Sequence, residues 1–221
     1  MATNKLTFEK IKEELSSNGV TLVAVSKMQP FEKIRQLYDL GQRDFGENYV
    51  QELIEKEAKL PKDIRWHFIG HLQTNKVRYI APFVHLIHGA DSEKLLKEIN
   101  KQGAKNNRVI DCLLQLHIAD EETKHGFNES DLHQFFADKP TLEHVQIKGL
   151  MGMGTLSDDE QKTRNEFKTL KGLFDRYFFV DENKNHNVLS MGMSGDYHIA
   201  IEEGSNMVRI GSLLFGNRGL H

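Results

Sequence analysis

Eight short apolar runs alternate with longer segments whose apolar residues fall at helical spacing along this 221-residue chain. A leading helix comes first, with Phe8, Ile11 and Leu15 on one face and Gly19 as its stop. The strand candidates are then Val20–Val25, a short one around Arg43–Phe45, "IRWHFIG", "FVHLIH", "RVIDCLLQLHI", "HVQIKGLMG", a brief one near Asn187–Ser190, and "MVRIG". A helix candidate starts at Pro30, with Ile34, Leu37 and Leu40 in phase and Gly41 beyond its end. Others run from Asn48 to Lys59, from Thr74 to Ile80, through Leu95, Leu96 and Ile99 to a stop at Gly103, and from Glu129 to Ala137. The best-marked helix follows the sixth run: Ser157 and Glu160 have capping-box spacing ahead of Phe167, Leu170, Phe174 and Tyr177. A short one runs from Asp196 to Glu203 and stops at Gly204.

Strands alternating with helices imply a parallel sheet. Eight of them favour a closed (β/α)8 barrel, the TIM-barrel member of the α/β class, here with an extra N-terminal helix. An open doubly wound sheet is the competing architecture. With no Pro/Gly/Ser-rich linker and no low-complexity tract, residues 1–221 read as one domain. A formal charge of −3 offers no bulk attraction for nucleic acid or an anionic membrane. No apolar run approaches a bilayer span, and the N-terminal "MATNKLTFEK" lacks a signal-peptide core. The single cysteine, Cys112, lies in "DCLLQLHI" and reads as a small buried hydrophobe. With no internal disulfide possible, a reduced, cytoplasmic compartment is expected.

In such a barrel, chemistry gathers at the C-terminal ends of the strands, and phosphate is commonly held after strands seven and eight. Lys27 follows strand one in "TLVAVSKMQP", "GEN" (Gly46, Glu47, Asn48) follows strand two, "MGMSGD" strand seven and "RIGSLLFGNR" strand eight. Gly192, Gly195, Gly211 and Gly216 would let backbone N–H groups approach an anion, and Ser194 and Ser212 add hydroxyl donors. Ser194 also precedes a helix whose positive end would face that anion. Either segment alone reads equally as a cap or a turn; two of them after consecutive strands favour a phosphate cup. Lys27 is either a solvated strand end or an amine held at the mouth of a core. A lysine in a partly apolar pocket has a depressed pKa and condenses with an aldehyde. Because strand one adjoins strand eight in a closed barrel, Lys27 would meet the cup. Phosphate and aldehyde in one small molecule describe pyridoxal 5′-phosphate (PLP).

With these residues in place, the chain resembles the YggS/PROSC family of pyridoxal phosphate homeostasis proteins. The matching segments are "VAVSK" (23–27), "FGENYVQE" (45–52), "WHFIGHLQTNK" (66–76), "GLMGMG" (149–154), "LSMGMSGD" (189–196) and "GSNMVRIGSLLFGNR" (204–218). The resemblance implies a barrel like the N-terminal domain of bacterial alanine racemase, with PLP as a Schiff base on Lys27. It also implies phosphate contacts at Ser194, Gly211 and Ser212, Arg209 beside the pyridine nitrogen, and Asn48 near the ring. An arginine can only donate there, which keeps the pyridine unprotonated and weakens it as an electron sink. A strand-end salt bridge is the alternative role for Arg209.

In alanine racemase the second base is a tyrosine from a second domain of the partner subunit. Here the chain reaches His221 directly after the eighth strand's loop, with no such domain. The expectation is therefore a monomeric, cytoplasmic protein that stores, buffers or delivers PLP, passing it transiently to PLP-dependent apoenzymes, without efficient catalysis. The rival is a weak PLP-dependent amino-acid racemase or lyase using one-base chemistry; a third class is a regulatory protein–protein module.

Other signals are set aside. "GSLLFGNR" has P-loop glycine spacing, but Asn217 and Arg218 stand where Lys and Ser/Thr are needed. "GMSGD" has Asp196 where a nucleophile elbow needs glycine. The glycines of "GLMGMG" are expected to thin the backbone at strand end six. His67 and His71 do not converge on a metal from a strand, and no spaced Cys/His cluster exists, so no metal is expected. His67 is expected beside Trp66, and His71 is expected to line the ligand cavity. The charged run "QELIEKEAKLPKD" reads as a solvated helix face.

Overall fold

The computed structural model describes residues 4–119, 126–138, 140–155, 157–178 and 187–216. Eight parallel strands close into a barrel in sequence order: β1 (Thr21–Val25), β2 (Asp44–Glu47), β3 (Arg65–Phe68), β4 (Leu86–Ala90), β5 (Ile110–Leu116), β6 (Val145–Gly152), β7 (Val188–Met193) and β8 (Met207–Ile210). The ring is sealed where Leu22, Val23 and Ala24 pair with Val208, Arg209 and Ile210. A closed ring leaves no exposed sheet edge.

The helices are α1 (Lys5–Ser17), α2 (Phe31–Asp39), α3 (Val50–Lys59), α4 (Val77–Ile80), α5 (Glu93–Lys105), α6 (Glu129–Asp138), α7 (Glu160–Phe178), α8 (Tyr197–Glu202) and α9 (Ser212–Phe215). Three of them bury apolar residues their spacing predicts: Ile34 and Leu37 in α2, Leu95, Leu96 and Ile99 in α5, Phe167, Leu170 and Phe174 in α7. The large core between sheet and helices takes the outward side chains of the strands. A separate, smaller apolar set fills the barrel itself: Val23, Leu86, Leu113, Met151 and Met207. Strand alternation assigns the two compartments.

Several boundaries differ from the sequence reading. β2 continues through Gly46 and Glu47, because the Gly46 α-carbon faces Val23 and Ile69 inside the barrel, where a side chain has no room. β7 likewise runs on to Met193. β4 starts at Leu86, since Phe83 and Val84 still bond back to the Ile80 carbonyl. Gly103 does not stop α5 but lies inside it, where an added Cβ would be 2.8 Å from the His144 carbonyl oxygen. Ser157 does not cap α7; Asp159 does, its Oδ1 accepting from the N–H groups of Gln161 (3.0 Å) and Lys162 (3.1 Å). In "GLMGMG", Gly149 sits at a register shift against β5 with φ +151°, and an added Cβ would strike the Val188 carbonyl.

Candidate functional site

The C-terminal mouth of the barrel collects the predicted residues. Val23 is interior, so alternation puts Val25 and Lys27 on the inward side while Ser26 turns outward to Glu47. Lys27 is half-buried, just past the end of β1. Next to it, the loops after β7 and β8 are joined: the Gly211 N–H donates to Ser194 Oγ at 3.3 Å. The Gly211 α-carbon in turn packs on Val25, where an added Cβ would lie 3.2 Å from the carbonyl oxygen and 3.3 Å from Val25 Cβ. Ser212 opens α9 and is exposed, so its N–H has no intrahelical partner. Ser194 and Gly211 are thus joined beside the β1 end, with Gly195 and Ser212 exposed next to them in the chain.

Two of the four predicted cup glycines have backbone reasons of their own. Gly192 lies within β7 at φ +95°, and an added Cβ would be 2.6 Å from Ala200 Cβ, so it serves the close approach of α8. Gly216 ends α9 at φ +80° with open space around it. Asn217 and Arg218 lie outside the described residues.

Arg209 is buried in the barrel below the cup. Its Nη1 donates to the Ser190 carbonyl oxygen (2.9 Å) and Oγ (2.6 Å), and its Nη2 donates to the Gly152 carbonyl (3.0 Å). No carboxylate is within that set, so the strand-end salt bridge is not what holds it. Burial lowers its pKa to about 10, with Asp196 acting the other way. It therefore remains a cation at neutral pH, with three of its five N–H groups committed to the barrel wall.

On the other flank, Asn48 and His71 line a shared cavity of about 590 Å³ with Tyr49, Gln73, Lys76 and Tyr79. Asn48, directly after β2, has its Oδ1 buried without a hydrogen-bond partner. His71 bonds through Nδ1 to Asp91 at 3.0 Å.

The charged run on α3 is not simply a solvated face. Lys56 is buried, and its Nζ donates to the Ser26 carbonyl (2.7 Å), Glu47 Oε1 (2.8 Å) and Glu52 Oε1 (2.6 Å). Ser26 Oγ donates to Glu47 Oε1 at 2.5 Å, and the Met28 N–H donates to Glu52 Oε1 at 2.6 Å. Both peptide neighbours of Lys27 are therefore gripped from behind, and Met28 is held at φ +59°. Sequence reasoning missed this clamp. Its signal was the outward parity of Ser26 and Glu47 on adjacent strands, with a lysine nine residues on.

His67 does not pack with Trp66. The two alternate, so Trp66 lies against Phe45 on the helix side while His67 points into the barrel, 2.9 Å from His88 and 3.0 Å from Asp44. Asp44, His67 and His85 bring potential ligand atoms within 4.8 Å of one another at the N-terminal mouth. Both Asp44 oxygens, however, are already bonded by the Arg65 guanidinium (2.7 and 2.5 Å). Cys112 is buried in β5, its thiol pKa raised by burial, in line with a structural role.

The sequence model of the alanine racemase N-terminal domain matches residues 6–219. A pyridoxal phosphate homeostasis protein of Aquifex aeolicus is 42% identical over 206 residues, spanning 91% of this chain and 88% of that one. Another, from Schizosaccharomyces pombe, is 36% identical over 212 residues, spanning 95% and 89%. Among solved structures, PipY of Synechococcus elongatus PCC7942 with PLP bound is 33% identical with a TM-score of 0.84, covering 95% of this chain and all (100%) of that one. Alanine racemase from Bartonella henselae, 16% identical with a TM-score of 0.67, shares the fold across 91% of this chain and 56% of its own. Matched almost from end to end, this chain belongs to the alanine racemase N-terminal domain family and, within it, to the pyridoxal phosphate homeostasis proteins.

Proposed function

We propose that this chain holds PLP at the C-terminal mouth of its barrel and serves PLP homeostasis by storing, buffering or delivering it, without efficient catalysis. When bound, PLP would supply an aldehyde for a lysine amine to capture and a phosphate to seat the opposite end of the molecule. Lys27 Nζ is the covalent anchor. Ser194, Gly211 and Ser212 hold the phosphate, the two serines through hydroxyl and backbone N–H donors and Gly211 by leaving room at the rim. Arg209 directs a remaining N–H at the ring nitrogen, and Asn48 Oδ1 accepts from the ring's polar edge.

One observation carries the reading. Gly211 touches Ser194 through its N–H and Val25 through its α-carbon, so the lysine-bearing turn and both cup loops form one continuous rim. Glycine keeps that rim clear where any Cβ would crowd Val25. The partnerless Asn48 oxygen also fits a polar ligand. The names of the relatives, and the PLP held by PipY, support the same conclusion. A donor-only arginine at the ring nitrogen disfavours carbanion chemistry, which is why a carrier is preferred to a racemase or lyase. Residues 1–221 act as one PLP-binding domain, monomeric and cytoplasmic, meeting PLP-dependent apoenzymes transiently. Among the described residues no helix is long and apolar enough to cross a membrane.

Borohydride reduction of the protein mixed with PLP, followed by peptide mass spectrometry, tests the anchor. Pyridoxyl mass is expected on the Lys27 peptide and absent in Lys27→Ala; mass on Lys33 or Lys76 instead would overturn the assignment. Turnover of any L- or D-amino acid at about 1 per second or faster would favour the enzymatic rival.

A further inference from the structure

Below Arg209, an unbroken line of side chains crosses the barrel to its opposite mouth. Arg209 Nη1 donates to Ser190 Oγ at 2.6 Å, and Ser190 Oγ lies 3.1 Å from His88 Nδ1. His88 Nε2 is 2.9 Å from His67 Nδ1, and His67 Nε2 is 3.0 Å from Asp44 Oδ1. Arg65 closes the far end on Asp44. Ser190 and His88 are 0% exposed, His67 1%, Arg209 4% and Asp44 8%. Buried polar groups must be satisfied internally, so the hydrogens along this line are not free to point either way.

Both ends demand the same direction. Arginine only donates, so Ser190 Oγ accepts from Arg209, and its own hydrogen goes to the nearest acceptor, His88 Nδ1. His88 then carries its hydrogen on Nε2 and donates to His67 Nδ1. His67 carries its own on Nε2 and donates to Asp44, which as a carboxylate only accepts. Every bond then points from the cup toward Asp44. Burial keeps His88 well below the ordinary imidazole range, and the donors from His67 and Arg65 outweigh burial to keep Asp44 ionised.

We infer that His88 and His67 are positioning residues, which lock Ser190 as an acceptor so that Arg209 stays aligned as a donor toward the PLP ring, with Asp44 at the far mouth setting the direction. This rests on the reading of Arg209 given above. In effect the line is a polariser rather than a proton conduit: Asp44, already doubly bonded by Arg65, is too weak a base to take a proton passed down to it. It turns a charge at one mouth of the barrel into the orientation of a guanidinium near the other.

Two measurements test it. Nitrogen-15 NMR of histidine-labelled protein without PLP should show hydrogen on Nε2 alone for His88 and His67; hydrogen on Nδ1 of either would overturn the inference without any variant. The second compares Ser190→Ala, His88→Gln and His88→Asn loaded with PLP. Wild type and all three should trap PLP on Lys27 with borohydride, but Ser190→Ala and His88→Gln should shift the visible absorbance of bound PLP. They should also lose PLP about tenfold faster on dialysis, a change equivalent to ~1.4 kcal/mol. His88→Asn puts an oxygen where Nδ1 was and can still accept from Ser190 but no longer reaches His67, so it should recover only part of the wild-type spectrum; full recovery would overturn the role given to His67 and Asp44. Unchanged spectra and release in Ser190→Ala and His88→Gln would overturn the inference while leaving the PLP reading intact. Failure of wild type to trap PLP on Lys27 would instead remove that reading, and this inference with it.

Discussion

Asp44 and Glu47 stand three residues apart on one strand, both nearly sequestered from water, yet they face opposite sides of the sheet and hold their protons oppositely. For Asp44, burial raises the pKa, but the hydrogen bond from His67 and the Arg65 fork outweigh it and hold the carboxyl well below its usual range. For Glu47, burial dominates and lifts the pKa to about 7, against the pull of Lys56 and Ser26. Depth does not explain the contrast. Asp44 receives three donors spread over both oxygens. Glu47 receives two, both on Oε1, from the Ser26 hydroxyl and from a lysine it shares with Glu52, while Oε2 is buried without a partner. The state of a buried carboxylate in this barrel follows the number and placement of its donors.

The largest effect that could break this contrast is Lys56→Met. Removing the shared cation leaves Glu47 and Glu52 against each other and should cost about 3–5 kcal/mol of stability by urea denaturation. It should also weaken PLP retention, because Ser26 and Met28 lose their grip. A loss below ~1 kcal/mol would mean that Glu47 is already neutral at the pH of the measurement.

Next comes pH. Between about 4.5 and about 7 the folded protein binds a proton on Glu47 that the unfolded chain does not. Stability should therefore fall as pH rises through that window, by at most about 3 kcal/mol. Glu47→Gln should flatten the slope; a slope that survives the substitution belongs to another group.

The smallest effect has the opposite sign. The stability supplied by Asp44 is fully present above its unfolded pKa near 3.8 and should vanish as pH falls below it toward the depressed folded value. Asp44→Asn should cost about 1–3 kcal/mol near neutral pH and erase that acid limb. If the limb persisted in Asp44→Asn, the three donors would not be what keeps Asp44 charged.

The barrel was legible because eight apolar runs of the right length are a strong periodic signal, and the placement of Lys27, Ser194, Gly211 and Ser212 at its mouth was legible because each adjoins a strand end. Less was visible where a side chain's role depends on which way it faces. Lys56 looks like any lysine in a charged helix until Glu47 across the sheet–helix layer turns it inward. His67 was placed with its neighbour Trp66, though adjacent strand residues point apart. Gly103 and Gly192 looked like a stop and an anion contact, but their reason lies in His144 and Ala200, residues far off in the chain or on the next helix. The short reach assigned to β2 has a related cause: Gly46 and Glu47 are poor strand formers by composition, and pairing on both sides overrides that preference.

Because side chains along β1 point alternately into the barrel and toward the helices, changing Leu22 or Ala24 would disturb only the outer packing. Adding or deleting one residue between Thr21 and Lys27 would exchange the two faces. The amine would then swing out toward α3, and a serine or methionine would take its station at the mouth. Strand one thus acts as a ruler with two-residue graduations, and its length is as much a part of the anchor as the lysine it carries.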